Sequence, residues 1–338
     1  MQSADYECPE TQVRISAIID LNVVRVRIAT NLEEFPAFNY FADVLPDEGA
    51  FDYEVICMDV DRDKFDLEKA ADRVDRTFRA KRFAAGYYLV HYFGDPALLI
   101  TRGRTFYVYG TALERTVWPY FIKHILTMHA ADNGYLHLKA GAFVQPGGGA
   151  SLVVGRNGGG KTVLLTQACL HGADFLTNTH ALVRDGYAYG IPSSLRIRRD
   201  ASFGDLIDRY DLPPHMESGD YLASPHLLFG RNAPAAAPIR NLVLVDYNPE
   251  RAQGIEEISA DVAEAFLDQF SLAVTMYGLK DDLFAHYDYD VHRFAAALRD
   301  TKDKARRLTR SVRCLRANVD MLDGSVRESV LRTLAGGE

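Results

Sequence analysis

Apolar and polar positions alternate over Gln12 to Ile19 and again over Asn22 to Thr30. Both segments are rich in β-branched residues, so a period of two predicts half-buried strands. Tyr53 to Val60 predicts another. Over Asp66 to Ala80 the period changes, with Leu67, Ala70, Ala71, Val74 and Phe78 at the spacing of an amphipathic helix. Gly86 to Phe93, Ala97 to Thr101 and Arg104 to Tyr109, separated by Gly94-Asp-Pro96 and Arg102-Gly103, read as a three-stranded meander. Its Tyr and Phe residues suit half-buried antiparallel strands, which collect aromatics without any stacked ligand. Residues 1–112 thus predict a small α+β domain, and 113–338 a second, larger one.

Ala112 to Ala131 is helical in pattern, with Val117, Phe121, Ile122, Ile125 and Leu126 on one face and Trp118 as a packing residue. Gly134 to Val144 predicts a strand. The tight turn Gln145-Pro-Gly-Gly-Gly149 makes it the antiparallel neighbour of the short strand Ser151 to Val154. Val163 to His171 reads as a helix closed by Gly172, and Asp174 to Val183 as a strand with polar residues in its middle. An Asp185-Gly186 turn leads to Tyr187 to Pro192, followed by the basic strand Ser193 to Arg199. Phe203 to Pro238 is irregular and suits a lid or loop. Ile239 to Asp246 predicts a buried strand ending in an acid. Helices follow at Asp261 to Tyr277 and Asp290 to Ala297, then a basic segment from Lys302 to Arg316, a strand near Val312 to Val319 and a helix near Ser325 to Leu334. The fold class expected is mixed α/β.

Between the Ser151 strand and the Val163 helix lies Gly155-Arg-Asn-Gly-Gly-Gly-Lys-Thr162, which fits the phosphate-cradling pattern G-x-x-x-x-G-K-[ST]. Strand, glycine loop and helix are the context in which that pattern has a mechanism. Glycines let backbone N–H groups turn inward around a phosphate chain, and the helix N-terminus adds partial positive charge. Gly155, Arg156, Asn157, Gly158, Gly159, Gly160, Lys161, Thr162 and Val163 are therefore the candidate nucleotide-binding residues. Lys161 would meet the β- and γ-phosphates, and the Thr162 hydroxyl would hold Mg²⁺. Asp246 closes an apolar run in the manner of a second magnesium ligand.

Charge and composition narrow the classes. The net charge of −8 argues against a general role on nucleic acid. The N-terminus, Met1-Gln-Ser-Ala-Asp-Tyr-Glu, lacks the apolar core of a signal peptide, and no apolar run reaches membrane-spanning length. The four cysteines are scattered without a C-x-x-C pair, which fits a reducing cytoplasm. A transporter-type L-S-G-G-Q segment and a guanine-reading N-K-x-D are both missing from the sequence.

The order of these segments resembles the catalytic domain of HPr kinase/phosphorylase and its kinase-like relatives, cousins of the phosphoenolpyruvate carboxykinases. The resemblance rests on Leu136-His-Leu-Lys-Ala-Gly-Ala-Phe-Val144, Leu152 to Thr162, Gly172-Ala-Asp-Phe-Leu-Thr-Asn-Thr-His180 and Gly190-Ile-Pro192, and covers about residues 115 to 245. It implies a P-loop kinase domain and Mg²⁺–ATP-dependent phosphorylation of a hydroxyl on a small molecule or peptide. HPr kinases form hexamers, so a homo-oligomer is one expectation. In the family two adjacent aspartates follow the P-loop helix, one acting as base. Here those positions are Asn178 and Thr179, neither of which accepts a proton near neutral pH.

Three readings of that departure stand side by side. A loose transition state needs positioning more than a strong base, leaving Asn178 to orient the acceptor. Alternatively His137 or His180 is the base, with an ordinary pKa of ~6.5; strand alternation puts His180 on the face of Asn178. Or the protein is a sensor that binds ATP without consuming it. The candidate catalytic residues are His137, Lys161, Asn178 and His180, with Arg196 and Arg198 as candidate substrate contacts.

Overall fold

The computed structural model describes residues 13–41, 43–63, 74–76, 80–83, 86–89, 97–111, 113, 121–215, 219–230 and 234–336. The chain divides into two units, Met1–Ile125 and Leu126–Glu338. Secondary structure is mixed α/β over the whole chain, and among the described residues no helix is long and apolar enough to cross a membrane.

The first unit carries β1 (Ile15–Asp20), β2 (Arg25–Thr30), β3 (Val44–Pro46), β4 (Tyr53–Asp59), β5 (Val74–Arg76), β6 (Ala80–Phe83), β7 (Gly86–Leu89), β8 (Ala97–Arg102) and β9 (Thr105–Gly110). They form one sheet in the order β3-β1-β2-β4-β9-β8-β7-β6-β5. β4 runs parallel to β2 and β9, and the predicted meander forms as β7, β8 and β9. Two expectations need correction. The strand expected from Asn22 starts at Arg25, because Asn22 sits at φ 66° with its N–H on the Asp20 carboxylate, a turn rather than a strand. The helix expected over Asp66 to Ala80 is contradicted where it is described: Val74–Arg76 is a strand paired to Phe83, and Ala80 opens β6. Local helical spacing gives way there to pairing with β6, because tertiary context outweighs a weak intrinsic propensity. Residues 66–73 and 77–79 of that expected helix, and 112 and 114–120 of the next one (Trp118 included), lie outside the described residues.

The helix α1 (Lys123–Asp132) runs across the boundary, and the second unit continues with β10 (Leu136–Lys139), β11 (Gly141–Val144), β12 (Ala150–Val154), α2 (Lys161–Leu170), β13 (Asp174–Thr177), β14 (His180–Arg184) and β15 (Tyr187–Gly190). β16 (Leu195–Arg198), α3 (Gly204–Arg209), β17 (Pro214–His215), β18 (Asp220–Ala223) and α4 (Pro225–Phe229) follow. Last come β19 (Ala236–Val245), β20 (Gly254–Glu257), α5 (Ala260–Phe270), α6 (Ala273–Met276), α7 (Lys280–His286), α8 (Val291–Ser311), β21 (Arg313–Asn318) and α9 (Gly324–Leu334). The main sheet runs β10-β14-β15-β19-β12-β11-β13, with β21 on β19 and β20 on β21. β12 lies between antiparallel β11, as its turn predicts, and parallel β19, which in turn is parallel to β21. Both faces of β12 are covered, which explains its unbroken apolar run. Val153 packs with α2, α3, α4 and α9 on one side, while Leu152 and Val154 pack with α5 and α8 on the other.

The two long strands expected at Gly134 to Val144 and Asp174 to Val183 are each broken, at Ala140 and at Asn178–Thr179. The breaks face one another, with the Ala140 N–H on the Thr179 carbonyl at 3.2 Å. Each chain segment there changes partners: β10 pairs with β14, and β11 with β13. Gly141 makes the crossing compact, since a Cβ there would lie 3.2 Å from the Asn178 carbonyl. The same bend removes the alternation argument that put His180 and Asn178 on one face.

The lid expected over Phe203 to Pro238 is ordered structure where described. β16, β18 and β17 form a small sheet, and Phe203, Leu206, Ile207 and Leu228 are buried against α2. Enough of its apolar residues recur at short spacing to be drawn into the core. The helix expected over Asp261 to Tyr277 is interrupted at Ser271, whose backbone and hydroxyl bond Lys139 of β10. The helix from Asp290 extends through the basic segment to Ser311, with Lys302, Arg306 and Lys304 paired to Asp268, Glu264 and Asp300.

In the first unit, fully buried Asn31 donates to the Asp59 carbonyl (2.9 Å) and the Asp63 carboxylate (2.7 Å) and accepts the Asp59 N–H (2.8 Å). Asn31→Ala strands these groups and is expected to cost about 2 kcal/mol, read by urea unfolding of the full chain; an unchanged midpoint would show that the tie contributes nothing.

Candidate functional site

The glycine loop is shaped by its neighbour strand. A Cβ on Gly155 would sit 2.2 Å from the Val245 carbonyl oxygen, and one on Gly159 3.0 Å from it, so β19 backbone touches the loop directly. The Tyr247 N–H donates to the Gly159 carbonyl at 3.2 Å. Gly158 and Gly160 take φ of 77° and 90°, which side-chain-bearing residues rarely adopt. Gly160 starts α2 without a side-chain cap, leaving the first-turn N–H groups for a ligand.

Two lysines converge here. Lys161 Nζ donates to the carbonyls of Gly155 (2.9 Å) and Arg156 (2.7 Å), and Lys139 Nζ to Asn157 Oδ1 (2.7 Å). Desolvation, and then the nearby Lys139 charge, lower the Lys161 pKa to about 8. Burial also lowers that of Lys139. Sequence reasoning missed Lys139, though alternation on β10 puts it on the face of His137, two residues earlier.

Behind Lys139 is a buried polar cluster. His137 Nε2 lies 3.0 Å from His180 Nδ1, and His137 Nδ1 lies 2.9 Å from the Thr127 hydroxyl. The Tyr277 hydroxyl is 3.5 Å from His180 Nδ1, and burial raises its pKa, so it keeps its proton. The two histidines are 5% and 1% exposed. One proton bridges the imidazoles; placing protons on both facing nitrogens would break the contact. This arrangement holds β10 against β14 at the strand crossing. Asn178 and Thr179 are half-buried at that crossing, where the Thr177 hydroxyl donates to the His180 carbonyl at 2.6 Å.

Asp246 follows β19 directly and is half-buried, one residue before the Tyr247 contact with the loop. Thr162 and Val163 occupy the first turn of α2. The Thr162 hydroxyl and Asp246 carboxylate are hard oxygen donors that fit Mg²⁺, an ion that keeps most of its shell as water and phosphate oxygen. Among the described residues no cluster of three or more His, Cys, Asp or Glu side chains is arranged to hold a metal. Arg196 and Arg198 stand outside the arrangement. Both lie on β16 and face the buried Asp220 carboxylate, at 3.7 and 2.7 Å. Compared with protein-family models and with curated proteins, the chain matches none.

Because folding lowers the Lys161 pKa from 10.5 to about 8, the unfolded chain binds the extra proton between those values. Stability of the ligand-free protein therefore rises with pH across that window. Lys161→Met is expected to flatten the rise in denaturant titrations from pH 7.5 to 10.5. Lys139→Met should move the Lys161 pKa upward in a ¹³Cε NMR titration; a downward or absent movement would separate the two ammonium groups.

Proposed function

We propose that the second unit binds Mg²⁺–ATP in the 155–162 loop and transfers the γ-phosphoryl group to a hydroxyl of a small molecule or peptide. The fold read this way is a P-loop kinase domain of the HPr kinase type, working in the cytoplasm. The observation that carries the reading is the meeting of two ammonium groups, Lys161 and Lys139, at a glycine loop that opens an uncapped helix. Among the described residues both positive groups have only neutral oxygens as hydrogen-bond partners, and a polyphosphate would replace these with charged ones.

In this reading each residue has a role that the geometry supports. The N–H groups of Gly158 and of Gly160 to Val163 bind the phosphate chain, and Lys161 turns from the loop carbonyls to the β- and γ-phosphates. Lys139 and Asn157 neutralise and orient the γ-phosphoryl group. Thr162 and Asp246 would hold Mg²⁺, which would supply charge neutralisation there. The acceptor oxygen forms the new bond to Pγ while the bridge to the β-phosphate breaks and ADP leaves. The hydroxyl proton passes to solvent. Burial of His137 and His180 supports a positioning role for both and leaves Asn178 to orient the hydroxyl, in keeping with a loose transition state. A second reading, ATP binding without transfer, draws support from the amide and hydroxyl at 178–179 in place of carboxylates.

The test is ADP release from Mg²⁺–ATP by the full chain, with and without a desalted extract of small peptides and metabolites. Extract-stimulated release is expected to fall by roughly 10²–10³ in Lys161→Ala and to persist or rise in Asn178→Asp. Tight ATP binding with no turnover in any extract would favour the sensor reading, and full activity in Lys161→Ala would remove the phosphate clamp.

A further inference from the structure

A cavity of about 560 Å³ opens beside the loop, at the C-terminal ends of β19 and β21. Arg156, Asp246, Arg251, Phe266, Arg316 and Asn318 line it. It thus shares one wall, Arg156, with the phosphate loop and another, Asp246, with the proposed magnesium site. From the structure we infer that this cavity receives an anionic group of the phosphoryl acceptor: the substrate is an alcohol that also carries a carboxylate or phosphate. The inference rests on the kinase reading above.

The charge balance is the first argument. Arg316 has Glu256 within 3.5 Å, but Arg156 and Arg251 have no carboxylate partner among the described residues. Arg156 instead lies over the Phe270 ring, 4.6 Å from its centroid, which orients the guanidinium without neutralising it. With Asp246 engaged by a cation, the cavity keeps an excess of two positive charges in a chain whose net charge is −8. A planar guanidinium pair recognises carboxylate or phosphate by two parallel hydrogen bonds.

Preorganisation is the second argument. The loop that carries Arg251 is tied down from β21 by a single side chain. Asn318 Nδ2 lies 3.2, 3.3 and 3.0 Å from the carbonyls of Asn248, Arg251 and Ala252, and its Oδ1 accepts the Asn248 N–H at 2.7 Å. Gln253 adds a bond to the Asp320 N–H at 3.0 Å. A loop so fixed loses little freedom when it binds, which is how a small ligand gains affinity. Phe266 supplies an apolar wall for the carbon skeleton.

The test uses calorimetry on the full chain with Mg²⁺–ADP as the nucleotide and malonate or inorganic phosphate as the anion probe. Mg²⁺–ADP binding is measured first, in the wild type and in Lys161→Ala; its absence would defeat the kinase reading itself. With Mg²⁺–ADP bound, malonate or phosphate is expected to bind, and Arg251→Gln and Arg316→Gln are each expected to weaken that binding roughly ten-fold while leaving Mg²⁺–ADP affinity unchanged. Which probe binds tighter assigns the group as carboxylate or phosphate. Because both arginines are exposed, the variants are expected to melt like the wild type. The inference is overturned if neither probe binds the nucleotide-loaded protein, if the variants bind the probe as well as the wild type, or if they weaken Mg²⁺–ADP instead, which would make the cavity part of the nucleotide site.

Discussion

The contact on which the second unit depends is the approach of the Val245 carbonyl to the glycine loop. A backbone oxygen at the end of β19 occupies the space where side chains of Gly155 and Gly159 would be. The contact is available only because β12 and β19 are parallel and end at the same level, which puts Asp246 beside the start of α2. β21, also parallel to β19, brings Arg316 and Asn318 to that same end. One close packing of backbone on backbone therefore gathers the loop, the acid and the arginine cavity at the carboxyl ends of three adjacent strands. Ligand sites in open α/β sheets form at such ends because helix N-termini and strand-end loops meet there.

On the other side of the loop the organising device is the strand crossing. β10–β11 and β13–β14 each leave one set of partners for another at a shared point, tied by the Ala140–Thr179 hydrogen bond. The His137–His180 pair sits just behind this point and Lys139 just in front of it. A buried polar pair is costly unless satisfied, and here the imidazoles satisfy one another across two strands. The pair thereby sets which residues of β10 and β14 face each other, and with them where Lys139 projects.

How much of this was legible depends on the range over which the pattern acts. The P-loop, its strand and helix, the antiparallel β11 and the acid at 246 follow from local spacing, because strand, turn and cap chemistry are local. The breaks at Ala140 and at Asn178–Thr179 were not legible. The second segment turns polar from Thr177 to His180, but periodicity cannot register a change of strand partner. Lys139 was hidden for a related reason: its role depends on Asn157, eighteen positions away, being brought within 2.7 Å. The segment from Phe203 suits a lid or loop because its pattern is irregular, whereas the burial of its short helices is a property of the core they join. Arg196 and Arg198 drew attention as charges, but Asp220, their partner, is set by the pairing of β16 with β18.

The ligand-free loop is an electrostatically unfinished structure. Lys161 and Lys139 are partly removed from water and near enough for one to depress the pKa of the other, yet their hydrogen-bond partners are carbonyl and amide oxygens. Neutral acceptors recover only part of what an ammonium group loses on leaving water. The fold retains the arrangement because hydrophobic packing on both faces of β12 and the backbone contact at Val245 leave these side chains little alternative. Folding thus keeps two cations poised against neutral partners, and an anion seated in the loop gains the interaction that the protein alone does not satisfy. Selectivity for a polyanion would then arise from the folding of the strands themselves, with the arginine cavity extending the same bias away from the loop.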